Sequence, residues 1–198
     1  MSDVAVLKHQ EPVVLADLVP GSLLRDIALV VGAAGLVGAL AQLSIHLSFT
    51  PVPITGQTLG VLIVGTTLGW RRALAAMSLY AVAGLAGVPW FAGHTSGYVG
   101  ASFGYVVGFV ASAALCGYLA ERRADRTWKT SAPAMVAGEA VMYTIGVAWL
   151  AVSMHVGIAR ALALGFTPFI IGDAIKALLA ASLLPVAWKL VGSRHGSL

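Results

Sequence analysis

Apolar residues in this chain run on in long blocks, and most polar and charged residues collect between the blocks. The blocks fall at 27–47, 56–70, 72–87, 98–120, 134–155 and 167–191. A stretch of ~20 apolar residues matches the thickness of a bilayer core, whereas a helix of a soluble domain needs only one apolar stripe. The pattern predicts an all-α, polytopic membrane protein with six transmembrane helices. The second block is short: at ~1.5 Å per residue it reaches only ~22 Å. It is therefore expected to be tilted, partial, or extended by the loop before it. Residues 48–55 are uncharged and turn-rich. Residues 88–97 are aromatic and glycine-rich, which predicts a loop folding back into or over the membrane. Irregular backbone at that depth needs cover from protein or a cavity.

Composition agrees with the pattern. The chain has 198 residues, 59% hydrophobic and 10% charged, with a mean hydropathy of +0.90. Soluble domains carry roughly 25% charged residues. The apolar run after Arg25, ending in Ala39-Leu40-Ala41, mimics a signal peptide with a cleavage site. The polar segment before it is long and the run continues past that point, so an uncleaved first helix is expected. Residues 1–23 are expected to form a cytoplasmic tail, 24–192 the six-helix transmembrane domain, and 193–198 a second cytoplasmic tail.

Charge then orients the spans. Lys8 and Arg25 precede the first block, Arg71 and Arg72 follow the second, and Arg122, Arg123, Arg126 and Lys129 follow the fourth. Lys189 and Arg194 end the sixth, and only Arg160 falls on the other side. By the positive-inside rule both termini are cytoplasmic, and the loops after blocks one, three and five are external. His46, His94 and His155 lie in those external loops and share no helical face, so no metal site is expected. Cys116 is the single cysteine, which excludes a disulfide framework. No cofactor is expected. The chain carries no phosphate-binding loop and no hydrolase signature, so any energy for uphill transport must come from an ion gradient or a partner.

The chemistry that the pattern does not absorb is Asp173 and Lys176, the two ionisable residues within 166–188. Charges at mid-bilayer cost a few kcal/mol each, and a spacing of three puts both on one helical face. Two readings are open: a polar-ligand site, or a self-neutralising pair that locks helix packing. Glu139 is expected near the cytoplasmic start of its helix, in a structural or partner-contact role ahead of the alternative, ligand binding. Gln57, Thr58, Ser102, Tyr98 and Tyr105 offer neutral hydrogen-bonding groups near external helix ends, as pocket lining or as an interfacial belt. Trp90 and Phe91 are read either as an apolar wall over a ligand ring or as interface anchors. The ridge Gly100, Gly104, Gly108, Ser112, Cys116, Ala120 is expected to pack helices closely. A similar ridge contains Ala34, Gly38 and Gln42.

Five segments together resemble the BioY family, the biotin-specific substrate-binding (S) components of energy-coupling-factor (ECF) transporters. They are PVPITGQTLG at 51–60, GLAGVPWFAG at 84–93, SFGYVVGF at 102–109, YTIGVAW at 143–149 and GFTPFIIGDAIK at 165–176. The Gly-Asp-x-x-Lys core of the last is the most specific. The resemblance implies the six-helix S-component fold and a pocket near the outer face, capped by the loops after helices one and three. It implies biotin as ligand, with Asp173 and Lys176 carried over first and Gln57 and Tyr105 next. The chain departs from the family in the loop at 94–97, which holds no Arg or Asn; His94 or Ser96 is expected to substitute there. Charge alone favours Lys176 with the biotin carboxylate. The candidate substrate site is thus Asp173, Lys176, Gln57, Tyr105, His94, Ser102, Tyr98 and Trp90.

The implied partners are a transmembrane coupling protein and two cytoplasmic ATPases, packing at Ala34 and Gly38, with membrane lipid around and no nucleic acid. The expected role is a non-enzymatic, biotin-capturing subunit of a vitamin uptake system, multi-pass in the plasma membrane. The alternatives are an ion-coupled carrier for a small organic acid and a small membrane enzyme using Asp173.

Overall fold

A computed structural model describes residues 13–195, with side chains described through residue 191. Most of the expected 1–23 tail, including Lys8, lies outside the described residues, as do the last three residues of the chain. Among the described residues the chain forms seven helices: α1 (Leu23–Gln42), α2 (Gln57–Leu68), α3 (Trp70–Leu85), α4 (Phe103–Glu121), α5 (Trp128–Ser153), α6 (Ile158–Gly165) and α7 (Ile170–His195). Four helical stretches are long and apolar enough to cross a membrane: Leu23–Gln42, Gly100–Glu121, Trp128–Ser153 and Ile170–Val191. The outward faces are apolar too, with Leu24 75% and Ile171 78% exposed. Such a surface is stable against lipid, not against water.

Six of the seven helices correspond to the expected blocks. The seventh, α6, is an addition, because an eight-residue helix is too short to register as a span. A second addition is a small antiparallel hairpin, β1 (Ser44–Ile45) with β2 (Ile54–Thr55), in the register Ser44↔Thr55 and Ile45↔Ile54. It closes the 48–55 loop at its base, so that loop is a braced flap. The fourth helix begins at Phe103, not at Tyr98; residues 98–102 form loop and a short 3-10 turn.

α2 and α3 are joined through Gly69 alone, at φ +78°, a conformation that favours glycine. Glu121 on α4 accepts the Trp70 backbone N–H at 3.0 Å, satisfying one of the orphan donors that start α3. Gly117 lets α4 reach this turn: a Cβ there would stand 2.5 Å from the Trp70 nitrogen. The α4 ridge packs as expected over most of its length. Gly104 lies under Trp149, Gly108 against the Met142 backbone, and Cys116 under Gly138, all on α5. Gly100 falls outside the ridge, in the loop and with open space at its Cβ position.

The α1 ridge corrects an expectation. Ala34 is fully buried, and a Cβ on Gly38 would meet the Trp90 side chain at 3.0 Å. Both residues pack inside their own chain, so neither is open to a partner protein. The open small residues of α1 are Gly32 and Gly35, with nothing within 4 Å of their Cβ positions.

Connectivity sorts the loops to two ends. One end gathers the 43–56 flap, the 86–102 loop, and α6 with its flanks. The other gathers the arginines of the α2–α3 and α4–α5 turns and the segment entering α1.

Candidate substrate-binding pocket

The cavity end encloses a pocket of about 420 Å³. That lies in the range of pre-formed small-molecule sites. Its lining is mostly apolar and aromatic, drawn from the flap, α2, α3 through Tyr80, the 86–102 loop, α4, α5 and the start of α7 with Phe169 just before it. Asp173 and Lys176 stand in it, at the point where α7 begins.

Asp173 is 5% exposed and its carboxylate is hydrogen-bonded from three elements. Thr58 on α2 donates to Oδ1 at 2.9 Å, Lys176 Nζ to the same oxygen at 2.7 Å, and Tyr143 on α5 to Oδ2. Lys176 Nζ also donates to the Thr55 carbonyl at 2.5 Å and to Thr58 Oγ1 at 3.1 Å. An ammonium has three donors, and here they meet three acceptors. A carboxylate has about four lone-pair sites, and three are occupied. The pair therefore presents one unfilled acceptor position, on Asp173 Oδ2, and no unfilled donor. Because Thr55 closes the flap hairpin, Lys176 also ties the flap to α7.

Burial of such a pair is costly unless hydrogen bonds satisfy both ions, and this network supplies them. Glu139 departs from its expected place near the cytoplasmic interface. It lies one helical turn from Tyr143, within electrostatic reach of Asp173 and Lys176, and its Oε1 is buried without a hydrogen-bond partner among the described residues.

The other expected site residues divide. Gln57 lines the cavity, 5% exposed, and its Nε2 donates to Tyr80 Oη at 2.7 Å. Tyr105 lines it as a ring, while its hydroxyl donates to the Gly165 carbonyl at 2.6 Å and so holds the end of α6. Tyr105 and Tyr143 meet edge to face, as do Tyr143 and Phe166, giving one wall an aromatic surface. Ser102 lines the cavity, but its hydroxyl donates to the Val99 carbonyl at 3.0 Å. Tyr98 lies at the mouth, 63% exposed.

Trp90 and His94 do not line the cavity. The Trp90 indole donates to the Tyr80 carbonyl at 2.9 Å and its ring tilts against Tyr80, which turns it into the scaffold behind the wall. Phe91 is the residue that forms the wall: it is 2% exposed, and its ring sits over Gly84, where any Cβ would collide. His94 is exposed, at φ +58°, and contributes its backbone N–H to Gln42 Oε1. Gln42 in turn donates to the Gly38, Trp90 and Phe91 carbonyls, so one side chain at the end of α1 pins the whole 86–102 loop.

The lining residues that were not singled out from sequence as ligand contacts include Tyr143, Thr55, Phe169 and His46. The signal for Tyr143 was weak, since one tyrosine in an apolar block reads as packing. Among the described residues no group of His, Cys, Asp and Glu has metal-binding geometry.

The basic end is held by a different set of ions. Arg72 Nη1 pairs with Asp17 at 2.8 Å, and Arg72 Nε and Arg25 both pair with Asp26. This cluster anchors the short 3-10 segment Leu15–Leu18, whose Ala16 is buried, against the helix ends. Burial raises the Asp17 carboxyl, but the hydrogen bonds from Arg72 and Val14 and the Arg72 charge outweigh it, so the group lies below its ordinary value. Asp125, in the α4–α5 turn, goes the other way. It is 1% exposed, and burial raises it despite the Trp188 indole N–H at 2.5 Å and the neighbouring Arg126.

Comparison with known proteins gives a consistent result. The model of the BioY family matches residues 9–193. The chain is 35% identical to the biotin transporter BioY of Rhizobium etli over 170 residues, covering 80% of this chain and 90% of that one. It is 34% identical to the biotin transporter BioY of Thermotoga maritima over 153 residues, covering 75% and 89%. In fold it is similar to the crystal structure of the S-component for biotin from an ECF-type ABC transporter. That match has a TM-score of 0.76 at 23% identity and covers 84% of this chain and 92% of that chain.

Proposed function

Since the chain belongs to the BioY family, we propose that it is the biotin-capturing membrane subunit of a vitamin uptake transporter, with the cavity as its biotin site. Relatives covered along nearly their whole length are biotin transporters, and the fold is that of an S component. The chain is a multi-pass protein of the plasma membrane, and its role is binding, not chemical conversion. In this reading α1–α5 and α7 cross the bilayer, α6 lies at the outer surface, and both termini are cytoplasmic; the arginines gathered at the basic end support that orientation. ATP hydrolysis falls to cytoplasmic ATPase subunits, reached through a transmembrane coupling protein.

The observation that carries the site is the unfilled acceptor position on Asp173 Oδ2. Biotin's ureido ring offers two N–H donors, and a charge-assisted N–H···O⁻ bond is the strong kind. Asp173 thus takes the ureido end, at the closed base of the cavity. Lys176, with every donor committed, positions Asp173 and the flap and does not take the carboxylate. This reverses the assignment that charge alone favours. The ligand's valerate tail then points along the aromatic wall toward the mouth.

The test is calorimetric titration of the purified protein. Wild type binds biotin, and Asp173→Asn, which replaces an acceptor-only group by one with donors beside Lys176, weakens binding about 100-fold. Undiminished binding by that variant would overturn the site.

A further inference from the structure

We infer that His46 receives the carboxylate of the bound ligand at the mouth of the cavity. This inference rests on the biotin reading above. Among the described cavity-lining residues, Lys176 and His46 are the ones that can carry positive charge. Lys176 is spent on Thr55, Thr58 and Asp173. A ligand carboxylate that reaches the mouth, where His46 is exposed, gains from a charge-assisted hydrogen bond that a neutral tail would lack.

Geometry places His46 for that role. It follows β1 directly, so the hairpin pairing of Ile45 with Ile54 fixes its position on the flap. Its imidazole reaches across the mouth to the 86–102 loop, where a Cβ on Gly93 would stand 3.3 Å from His46 Cε1. Gly93 is at φ +68°, so both the space and the backbone conformation suit glycine at the point of contact. Among the described residues no hydrogen bond engages the His46 ring.

The neighbouring hydroxyls are less available. Thr95 donates to the Ala92 carbonyl at 3.0 Å and Ser102 to the Val99 carbonyl. Ser96 and Tyr98 keep hydroxyls that can add neutral hydrogen bonds beside the imidazole. His46 alone at the mouth combines an uncommitted N–H with the capacity for charge. His94 and His155, also in this end's loops, do not line the cavity. The sequence departure at 94–97, with no Arg or Asn, is thus met from the opposite side of the mouth, by the flap.

The consequence is a specificity device: His46 distinguishes a ligand with a free carboxylate from one whose tail is neutral. The experiment titrates biotin and biotinamide, which keeps the ureido ring and carries an uncharged carboxamide, into wild type, His46→Ala and His46→Lys. The expected result is that His46→Ala loses about tenfold on biotin and under about twofold on biotinamide. His46→Lys restores most of the biotin affinity. Equal losses on both ligands, or no loss on biotin, would overturn the assignment while leaving the biotin site standing. Failure of wild type to bind either ligand would instead remove the biotin reading, and this inference with it.

Discussion

The two ends of the bundle hold similar ions and use them in opposite ways. At the basic end Arg72, Arg25, Asp17 and Asp26 are partly exposed, with side chains 18–35% accessible, and they spend their hydrogen bonds on one another and on backbone. At the cavity end Asp173 and Lys176 are 6% and 17% accessible, ringed by hydroxyls, and one acceptor position is left over. The first cluster straps a segment to helix ends. The second is a satisfied scaffold with one acceptor position unused, on a residue that lines a cavity. A buried ion pair is informative less for the attraction it contains than for the hydrogen-bonding capacity it leaves unused.

That contrast can be broken most decisively at Lys176. Removing one member of a buried pair typically costs about 3–5 kcal/mol, because the other is left unpaired. Lys176→Met is expected to lower the melting temperature in detergent by about 10 °C, on the scaling of about 2–4 °C per kcal/mol at this chain length. Pairing it with Asp173→Asn should recover most of that loss, since both charges are then gone. The equivalent change at the basic end, Arg72→Met, is expected to cost under about 1 kcal/mol. Equal thermal losses at the two ends would erase the distinction.

A smaller effect sharpens the cavity end. Tyr143→Phe removes one hydrogen bond to Asp173 Oδ2 and leaves the ring packing on Tyr105 and Phe166 in place. Biotin affinity is expected to fall about tenfold, with a melting-temperature loss well below that of Lys176→Met. A larger thermal loss than affinity loss would make Tyr143 a packing residue.

The smallest effect lies at the basic end and depends on pH. Asp17 is held below its ordinary carboxyl value, so its contribution is present above the unfolded-state value and is lost as pH falls through the folded one. Asp125 is held above its ordinary value, so its contribution declines as pH rises past 3.8, the ordinary value for the group. At neutral pH Asp17→Asn should therefore destabilise slightly. Asp125→Asn, whose amide oxygen can still accept the Trp188 N–H, should be neutral or stabilising. Melting curves of both variants across pH check the opposite signs.

Much of this was legible in the chain. The apolar blocks coincide with six of the seven helices, and four of the stretches have the length a bilayer demands, because length is written directly into sequence. Asp173 and Lys176 are legible for the converse reason: a charge in such a block is an energetic exception. α6 was not legible, because eight residues fall below that length, and the flap hairpin rests on only two residues per strand. Tyr143 was hidden because a tyrosine in an apolar block is ordinary. Ala34 and Gly38 read as a docking ridge because spacing reports which residues share a face, not what covers that face; Trp90 covers it, from 52 positions along the chain from Gly38.

The sequence by itself determined the helical membrane class and the presence of a charged pair, because each depends on local composition against a bilayer. The tertiary structure decided which hydrogen bonds that pair makes. Whether Lys176 has a donor to spare depends on Thr55 and Thr58, which lie 121 and 118 positions away. Whether Asp173 has an acceptor to spare depends on Tyr143, on another helix. Hydrogen-bonding capacity is spent between elements, so what remains for a ligand can be counted only after the elements have packed.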